Sequence, residues 1–402
     1  MRDIPDIRIE DYTYDLPLEA IARFPLNKRD GSRLLYYKSG RIRDTVFHNL
    51  PDLLPGNAHL VFNNTRVIHA RLPFHKKSGA RIEIFCLDPI QPASFESALD
   101  ETQRTIWTCM IGNKRKWKTG SLSEVIDVGN KTIELVAAYG DISENQVTFT
   151  WDDPSISFSE ILKVYGKIPI PPYLKRDSEA LDQVAYQTIY GIKKGSVAAP
   201  TAGLHFTQSV LEQLQAQHYK MTELTLHVSA GTFKPVQAKR IRDHKMHTEF
   251  FSIGREALHS LARNNNAVIA IGTTSLRTLE SLYWLGLKLH NHGPDAGFQL
   301  QQWEPYTMKP TLSRTAAFQT LYQYLVDQNL EYLEGHTRLI IVPGYPFQVT
   351  AGLLTNYHLP RSTLLLLVAA FIGEDWRKVY QYALEHNLRF LSYGDSSLLI
   401  PG

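Results

Sequence analysis

The chain has 402 residues, of which 43% are apolar and 21% are charged, and this balance excludes an intrinsically disordered polypeptide. The formal charge of +3 permits a nucleic-acid partner without requiring one, because nucleic acids bind to a basic patch and not to a total charge. The most apolar run, Thr363–Gly373, is too short to span a bilayer. Cys86 and Cys109 lack metal-site spacing and the first residues lack a secretory signal, so we expect a cytoplasmic protein with reduced thiols and no membrane contact.

The predicted strands change character twice along the chain. Near the start, HLVFNNT is a continuous apolar strand that runs into a polar loop. From about residue 71 to 155 the runs ARIEIFCL, RTIWTCMI and NQVTFTW alternate apolar and polar residues instead. Within this region Gly129 and Asn130 join two alternating runs, which is typical of a type II′ hairpin. We therefore predict a small, barrel-like all-β domain at residues 71–155.

After residue 156 strands and helices alternate. SVLEQLQAQ predicts a helix in which Ser209 and Glu212 form a capping box, and AVIAI is an apolar strand that ends at Gly272. Continuous apolar strands between helices are typical of a parallel sheet that is covered on both faces. The sequence thus predicts an α/β fold in which residues 1–70 and 156–402 form a mainly parallel-sheet domain, with the β domain inserted.

Ligands in open α/β sheets collect beyond the carboxyl ends of the strands, so the polar strand tips are candidate sites. GTTSLR, residues 272–277, is a hydroxyl-rich turn that opens a helix, and its free N–H groups could hold a carboxylate or phosphate. The alternative is a structural one, with Ser275 as a simple N-cap and Arg277 solvated. The sequence contains neither a P-loop nor a G-x-G-x-x-G turn after a strand.

Two further segments have more than one interpretation. HKMHTE, residues 244–249, could form a metal site, could serve only structural hydrogen bonds, or could transfer a proton. NKRKWKTG, residues 113–120, surrounds Trp117 with cations that could bind phosphates while the indole stacks on a base. Its alternative is a solvated turn with a core-facing tryptophan.

Nine segments occur in the order expected of one family. They are YDLPLEAIARFPLNKRDGSRLL, LVFNNTRVIHARL, GKIPIPPYL, YQTIY with GSVAAPTAGLHFT, HVSAGTFKPV, HKMHTE, AIGTTSLRTLES, PGYPFQV with LLTNYHLPRSTLL, and FLSYGD. From about Tyr14 to Leu399 the chain resembles the S-adenosylmethionine:tRNA ribosyltransferase-isomerases of queuosine biosynthesis. The resemblance implies an α/β domain with a β-barrel domain, which agrees with the change in strand pattern.

The implied reaction transfers the ribosyl part of S-adenosylmethionine to 7-aminomethyl-7-deazaguanine at the wobble position of tRNA. The products are epoxyqueuosine in tRNA, adenine and methionine. S-adenosylmethionine is then a consumed substrate, and neither a metal nor a further cofactor is expected. We expect a monomer, although the sequence does not determine the oligomeric state.

The sulfonium makes the ribose C5′ hydrogens acidic, and adenine leaves more readily when it is protonated, so histidines with a pKa near 7 are the leading candidates for proton transfer. The predicted catalytic residues are His205, His227, His244, His247, Glu249, His358 and Asp395. The predicted substrate-binding residues are Asn63, Arg66, Ala202, Gly203, Leu204, Gly272, Thr273, Thr274, Arg277, Tyr345 and Asn356. The predicted tRNA-binding residues are Arg29, Arg33, Lys114, Arg115, Lys116 and Lys118. Small residues let the backbone approach a ligand closely, and Gly203 can adopt a positive φ where a turn requires it.

The sequence departs from the family pattern at a few positions. Ala351 stands where an aspartate is usual, and this removes a charge beside a predicted ligand loop. The other departures are Val184, Ala185, Ser229, Ser396 and Ser397. Two alternatives therefore accompany the transferase prediction: an enzyme of the same fold that acts on another nucleobase or nucleic acid, and a tRNA-binding module without catalysis.

Overall fold

The computed structural model describes residues 4–140, 144–228 and 236–402, and its strands form a ten-stranded sheet, a six-stranded sheet and a two-stranded sheet. The strands are β1 (Arg33–Lys38), β2 (Arg41–Val46), β3 (His59–Asn63), β4 (Thr65–Val67), β5 (Arg71–His75), β6 (Arg81–Gln91), β7 (Arg104–Gly112), β8 (Ser121–Val128), β9 (Lys131–Tyr139), β10 (Gln146–Trp151), β11 (Lys193–Ser196), β12 (Lys220–Leu226), β13 (Glu249–Gly254), β14 (Val268–Ile271), β15 (Gln299–Leu300), β16 (Tyr332–Thr337), β17 (Thr350–Asn356) and β18 (Ser396–Ile400). The α-helices are α1 (Phe95–Asp100), α2 (Phe158–Tyr165), α3 (Ala180–Ala185), α4 (Gln208–Ala216), α5 (Arg255–Ala262), α6 (Thr273–His292), α7 (Glu304–Thr307), α8 (Arg314–Asp327), α9 (Thr363–Ile372) and α10 (Asp375–Glu385).

The ten-stranded sheet is parallel at its centre. Its order is β15-β16-β13-β12-β3-β14-β17-β18-β1-β2, and β12, β3, β14 and β17 are mutually parallel. Every residue of β3 and β14 is buried, as expected of strands with helices on both faces. The prediction of a mixed α/β fold is confirmed, and the structure adds antiparallel pairs on both sides of the centre, including β12 with β13 and β17 with β18.

Helix α6 is the longest helix among the described residues, and it lies against the ten-stranded sheet. It is buried along most of its length, and it packs against α8 and the central strands. Gly286 permits the close approach of α8, because a Cβ atom there would overlap the carbonyl of Ala317. The apolar run of Thr363–Gly373 forms the buried helix α9, whose N-cap is Ser362. Among the described residues, no helix has the length and apolarity needed to cross a bilayer.

The six-stranded sheet, β5-β6-β7-β10-β9-β8, is a nearly closed antiparallel barrel. Its two outer strands lie together, and the backbone N–H of His75 in β5 donates to Glu124 Oε1 in β8 at 2.7 Å. Gly129, with φ +64°, and Asn130 form the predicted two-residue turn between β8 and β9. The free thiols of Cys86 and Cys109 face each other inside this barrel. The domain limits drawn at residues 70 and 156 stay a prediction.

The start of α4 differs from the prediction. Thr207 is the N-cap, and its hydroxyl oxygen accepts a hydrogen bond from the Val210 N–H at 3.4 Å. The same hydroxyl donates to Asp30 Oδ2 at 2.9 Å. Ser209 therefore lies inside the first turn, and the predicted capping box with Glu212 is wrong. A threonine two residues earlier was the better cap because it also binds a buried carboxylate.

Candidate functional site

A small pocket of about 80 Å³ lies beyond the carboxyl ends of β14 and β17. We call it the sheet-edge pocket. Its lining residues are Tyr173, Ala198–Ala202, Val228, Gly272, Thr273, Thr274, Thr355–Leu359, Ser362, Leu364, Leu391 and Ser392. Six of the predicted site residues meet here: Ala202, Gly272, Thr273, Thr274, Asn356 and His358. They come from three separate segments, as the edge of a parallel sheet requires.

The N-terminus of α6 forms one wall of the sheet-edge pocket. Gly272 has φ +91°, and its N–H donates to the carbonyl of Leu354 at 2.8 Å, so it turns the chain from β14 into the helix. No side chain caps α6, and Thr273 and Thr274 line the pocket. Ser275 is not the cap, because its hydroxyl donates back to the carbonyl of Ile271 at 2.8 Å. The positive pole of the helix therefore lies at the pocket.

His205 lies behind the sheet-edge pocket, in a 3₁₀ helix at Thr201–His205. Asn356 connects it to the pocket: its Oδ1 accepts from the Thr201 hydroxyl at 2.9 Å, so its amide nitrogen faces His205 Nε2 at 3.2 Å. His205 Nδ1 is 2.9 Å from Ser32 Oγ. Burial lowers the pKa of His205 to about 4, against an opposing effect of Asp395. The ring is thus neutral at pH 7, with its proton on Nδ1.

Gly203 is needed for space and not for backbone conformation. Its φ is not positive, so this segment does not use the left-handed conformation that glycine permits. A Cβ atom at Gly203 would overlap the hydroxyl of Tyr190 and lie 2.8 Å from Cγ2 of Thr188. Ala202, Gly203 and Leu204 are all buried in the same short helix. The small residues of this segment therefore permit the backbone to pack against Tyr190.

A second, much larger space of about 1150 Å³ separates the barrel from the large sheet. We call it the barrel cleft. Its lining residues are Leu87–Pro89, Ala93–Glu96, Leu99, Asp100, Met110, Ile192–Lys194, Thr225, His227, His247, Thr248, Phe250, Ser252, Tyr332, Glu334 and His336. His227 lines the barrel cleft and the next residue, Val228, lines the sheet-edge pocket. The two spaces therefore adjoin at His227 and Val228.

The ring of His227 is held between two phenyl rings. Its centroid lies 4.6 Å from that of Phe95 and 5.8 Å from that of Phe250, and its Nδ1 is 3.2 Å from the Thr65 hydroxyl. Gly195 makes room for it, because a Cβ atom there would lie 2.8 Å from His227 Cε1 and 2.9 Å from Phe95 Cγ. Desolvation, aided by the charge of Lys193, lowers the pKa of His227 to about 4.

The HKMHTE segment does not form a metal site. His247 is exposed in the barrel cleft, whereas His244 is half-buried and burial lowers its pKa. Glu249 points elsewhere, into a buried ion pair with Arg277 of 2.6 Å. Within residues 4–140, 144–228 and 236–402, no group of three or more His, Cys, Asp or Glu side chains could hold a metal ion.

Several predicted substrate-binding residues serve the core instead. Arg277 is buried, pairs with Glu249 and donates from Nε to the carbonyl of Leu339, so it does not reach the sheet-edge pocket. Tyr345 donates its buried hydroxyl to Glu280 at 3.3 Å. Asn63 uses its amide to join β3 to both backbone groups of Leu226. Arg66 is exposed and donates to the carbonyl of Gly191 at 3.4 Å.

The last two predicted catalytic residues are buried. His358 lines the sheet-edge pocket, its Nε2 is 2.9 Å from the Thr355 hydroxyl, and burial lowers its pKa to about 3. Asp395 accepts hydrogen bonds from the backbone N–H groups of Arg33 and Arg389 and from the Arg389 guanidinium. Asp395 therefore connects β1 to the loop before β18.

The predicted tRNA-binding cations lie in two regions. Arg29 donates to the carbonyls of Gln187 and Val184 at 2.6 Å each, and Arg33 pairs with Asp44. Lys114, Arg115, Lys116 and Lys118 are exposed on the barrel. Trp117 between them is 1% exposed and stacks on Tyr139 at 4.1 Å, so it cannot stack on a base. The core-facing alternative is the one that the structure supports.

Sequence reasoning missed Asp88 and most of the rings of the barrel cleft. Asp88 is exposed, yet it lies between the walls of the cleft. Desolvation there raises the pKa of its carboxyl group, and the nearby His247 partly opposes this rise. Phe250 and His336 occupy alternate positions of β13 and β16, whose burial alternates residue by residue. This alternation shows that one face of the β13–β16 strand pair lies outside the core.

Three buried histidines predict a loss of stability in acid. Burial lowers the pKa of His59 to about 4, of His205 to about 4 and of His358 to about 3. In the unfolded chain these histidines have a pKa of about 6.5, so below that pH they bind protons that they do not bind in the folded protein. The free energy of unfolding therefore falls as the pH falls from about 6.5 towards 4. Each histidine contributes about 1.4 kcal/mol per pH unit within that window.

Thermal unfolding between pH 7.5 and 5 measures this effect. We expect His59→Gln to reduce the dependence of Tm on pH, because His59 binds only Thr222 and Asn264 in the core. His292→Gln, at an exposed helix end, is the matched control and should leave the dependence unchanged. A pH dependence that is the same in wild type and His59→Gln would contradict this account.

Comparison with known proteins places the chain in a family. A family model described as a queuosine biosynthesis protein matches residues 9–399. Two S-adenosylmethionine:tRNA ribosyltransferase-isomerases, from Halothermothrix orenii and Aquifex aeolicus, are each 36% identical and align with 98% of this chain and 100% of their own length. The crystal structure of S-adenosylmethionine tRNA ribosyltransferase from Thermotoga maritima is 26% identical, with a TM-score of 0.47 over 97% of this chain and 100% of its own. The chain belongs to the queuosine biosynthesis protein family.

Proposed function

We propose that the protein transfers and isomerises the ribosyl group of S-adenosylmethionine onto 7-aminomethyl-7-deazaguanine in tRNA, forming epoxyqueuosine and releasing adenine and methionine. Full-length identity to enzymes named S-adenosylmethionine:tRNA ribosyltransferase-isomerase supports this proposal. The structural observation that carries it is the meeting of two unlike spaces at His227 and Val228. Two adjacent spaces can hold the two reactants, a small molecule and a tRNA base, side by side.

The sheet-edge pocket suits one end of S-adenosylmethionine. A volume of about 80 Å³ is well below the range of about 300–1000 Å³ typical of complete small-molecule sites. Its helix N-terminus and threonine hydroxyls can bind polar or anionic groups. We therefore place one end of the substrate in this pocket, with the ribose reaching towards His227 and the barrel cleft.

The histidines divide into two kinds. His205, His227 and His358 are kept neutral at pH 7 because their pKa values lie near 4, 4 and 3. They can accept or donate hydrogen bonds. Their pKa values are too low for the role that the sequence analysis gave them, that of a proton-transfer group with a pKa near 7. His247 lines the barrel cleft with Asp88, whose carboxyl pKa is raised. These two side chains are the proposed proton-transfer groups near the aminomethyl base.

Among the described departures from the family pattern, Ala351, Val184 and Ala185 line neither space. Ala351 is exposed at the start of β17, about 17 Å along the strand from Asn356 at the rise of an extended chain. Val184 and Ala185 line a different pocket, together with Arg29 and His205. Ser396 and Ser397 are buried in β18, where they pair with Asn356 and Thr355 of the sheet-edge pocket. Ser229 lies outside the described residues. The distance of Ala351 from the sheet-edge pocket favours the transferase over an enzyme with a changed substrate.

The test is a direct assay of the products. We expect adenine and methionine to appear when the protein is incubated with S-adenosylmethionine and tRNA that carries 7-aminomethyl-7-deazaguanine. The same tRNA with guanine at that position is the control and should release no adenine. We propose that S-adenosylmethionine is consumed and that no metal takes part, so a chelator should leave the rate unchanged. Binding of the modified tRNA without adenine release would favour the non-catalytic module.

A further inference from the structure

A row of rings crosses the barrel cleft. Phe95 belongs to α1 beside the barrel, and its ring centroid is 4.6 Å from that of His227. Phe250 of β13 follows at 5.8 Å with an interplanar angle of 12°, and His336 of β16 follows at 5.7 Å and 69°. Tyr332, also of β16, lines the same space. We call these five residues the ring wall.

The geometry of two paired strands directs the ring wall towards the cleft. In the register of β13 and β16, Phe250 is opposite His336 and Ser252 is opposite Glu334. These four residues line the cleft, whereas the intervening Phe251, Ile253 and Leu333 are buried in the core. Side chains of a strand alternate between its two faces, so one whole face of this strand pair is presented to the cleft.

The same cleft exposes apolar surface that the fold leaves uncovered. Tyr332 is 53% exposed, Ile192 is 66% exposed and Met110 is 40% exposed, and all three line the space of about 1150 Å³. Exposed apolar side chains that gather in one concave site mark a binding surface. The exposed ring of Tyr332, at the end of this row, suits a flat, apolar partner, and a nucleobase is such a partner.

The cleft is lined by charged side chains of both signs. Lys193 and Lys194 lie at the end of β11; the Lys193 ammonium is 5.6 Å from the Tyr332 ring centre, and Lys194 donates to the Ser159 hydroxyl at 2.9 Å. Neither lysine forms a salt bridge with any described residue. The carboxylates are Asp88, Glu96 and Asp100 on the barrel side and Glu334 on the sheet. Lysines can pair with phosphates, and carboxylates can accept hydrogen bonds from exocyclic amines of bases.

We propose that the ring wall is a stacking platform for unpaired RNA bases, with Lys193 and Lys194 binding the phosphates that flank them. This inference rests on the proposed function, in that the RNA is the tRNA substrate, and it adds the recognition of an unpaired loop. Bases inside an A-form duplex present no free faces to a protein, whereas splayed bases of a loop do. The protein therefore binds single-stranded RNA at this wall and excludes duplex RNA from it.

The experiment measures fluorescence anisotropy of a labelled seven-nucleotide single-stranded RNA, without S-adenosylmethionine and without a modified base. We expect Tyr332→Ala and Phe250→Leu each to weaken binding by about 5- to 100-fold, since a stacked base depends on the ring face. Lys193→Gln should weaken binding and lower the slope of log affinity against log salt by about one. Val125→Ala and Lys38→Gln, at exposed positions outside the cleft, are the matched controls.

Either of two results would contradict the proposal that the ring wall binds unpaired bases. One is wild-type affinity in both Tyr332→Ala and Phe250→Leu, and the other is a ten-base-pair RNA duplex that binds as tightly as the single strand. Circular dichroism of each variant verifies that it is folded. Because the Tyr332 side chain is exposed, Tyr332→Ala is the substitution that disturbs the fold less. Adenine release is measured separately. Ring-dependent binding without adenine release would keep this inference and reject the transferase, whereas adenine release with ring-independent binding would do the reverse.

Discussion

An Arg277→Met variant is expected to lose about 3–5 kcal/mol of unfolding free energy, because it leaves the carboxylate of Glu249 buried without its partner. The two side chains are 7% and 4% exposed and lie 2.6 Å apart. Arg277 also holds the carbonyl of Leu339 through Nε. Denaturation in urea, followed by circular dichroism, measures the change as a lower midpoint.

Two further variants make the result specific to a buried pair. Arg377→Met breaks the exposed pair with Glu374, whose side chains are 50% and 80% exposed, and should change stability by less than about 1 kcal/mol. The double variant Arg277→Met, Glu249→Leu should recover most of the loss, because it removes both charges. Substrate binding by Arg277 would show differently, as a raised KM with unchanged stability, and that outcome would refute the structural role.

A His205→Ala variant is expected to release adenine about 10²-fold more slowly, since misplacing a group that lines a site by about 1 Å can cost that much. His205 lies between Ser32 and Asn356, and only Asn356 lines the sheet-edge pocket. With the ring removed, the Asn356 amide nitrogen loses its 3.2 Å hydrogen bond to Nε2 and keeps only the 3.4 Å contact with the carbonyl of Asp395, while Oδ1 still accepts from Thr201. His205 therefore positions a substrate-facing residue, and with a pKa of about 4 it does not act as an acid at pH 7.

The conservative variant distinguishes positioning from proton transfer. A glutamine at this position can donate to Ser32 and accept from Asn356, so His205→Gln should recover most of the rate of adenine release. Its dependence on pH between 6 and 8 should match that of the wild type. If His205→Gln is as slow as His205→Ala and its pH profile loses one limb, the ring itself transfers a proton and the positioning role is wrong.

The sequence predicted what depends on local pattern. The alternation before and after Gly129 gave the hairpin, and the continuous apolar residues of HLVFN and VIAI gave the buried central strands. The strand tips around Gly272 and Asn356 could be assigned to one edge because parallel strands end together. These predictions need only neighbouring residues and a general rule of sheet geometry.

The sequence could not predict what depends on pairing between distant segments. Arg277 looks like a free cation until Glu249, 28 residues earlier, is brought against it. Trp117 could stack on a base or enter the core, and only the position of Tyr139 decides. The ring wall draws on α1, β13, β16 and the residue after β12, so no single stretch of sequence contains it.

The register of the large sheet has a consequence for how the chain acquires its fold. Leu34 of β1 pairs with Ser396 of β18, so roughly 360 residues separate two adjacent strands, which is the kind of contact that forms slowly. The six barrel strands all lie within residues 71–151. A polypeptide emerging from the ribosome can therefore complete the barrel while β1 and β2 still await their neighbour. During translation, the six-stranded barrel is finished before the ten-stranded sheet.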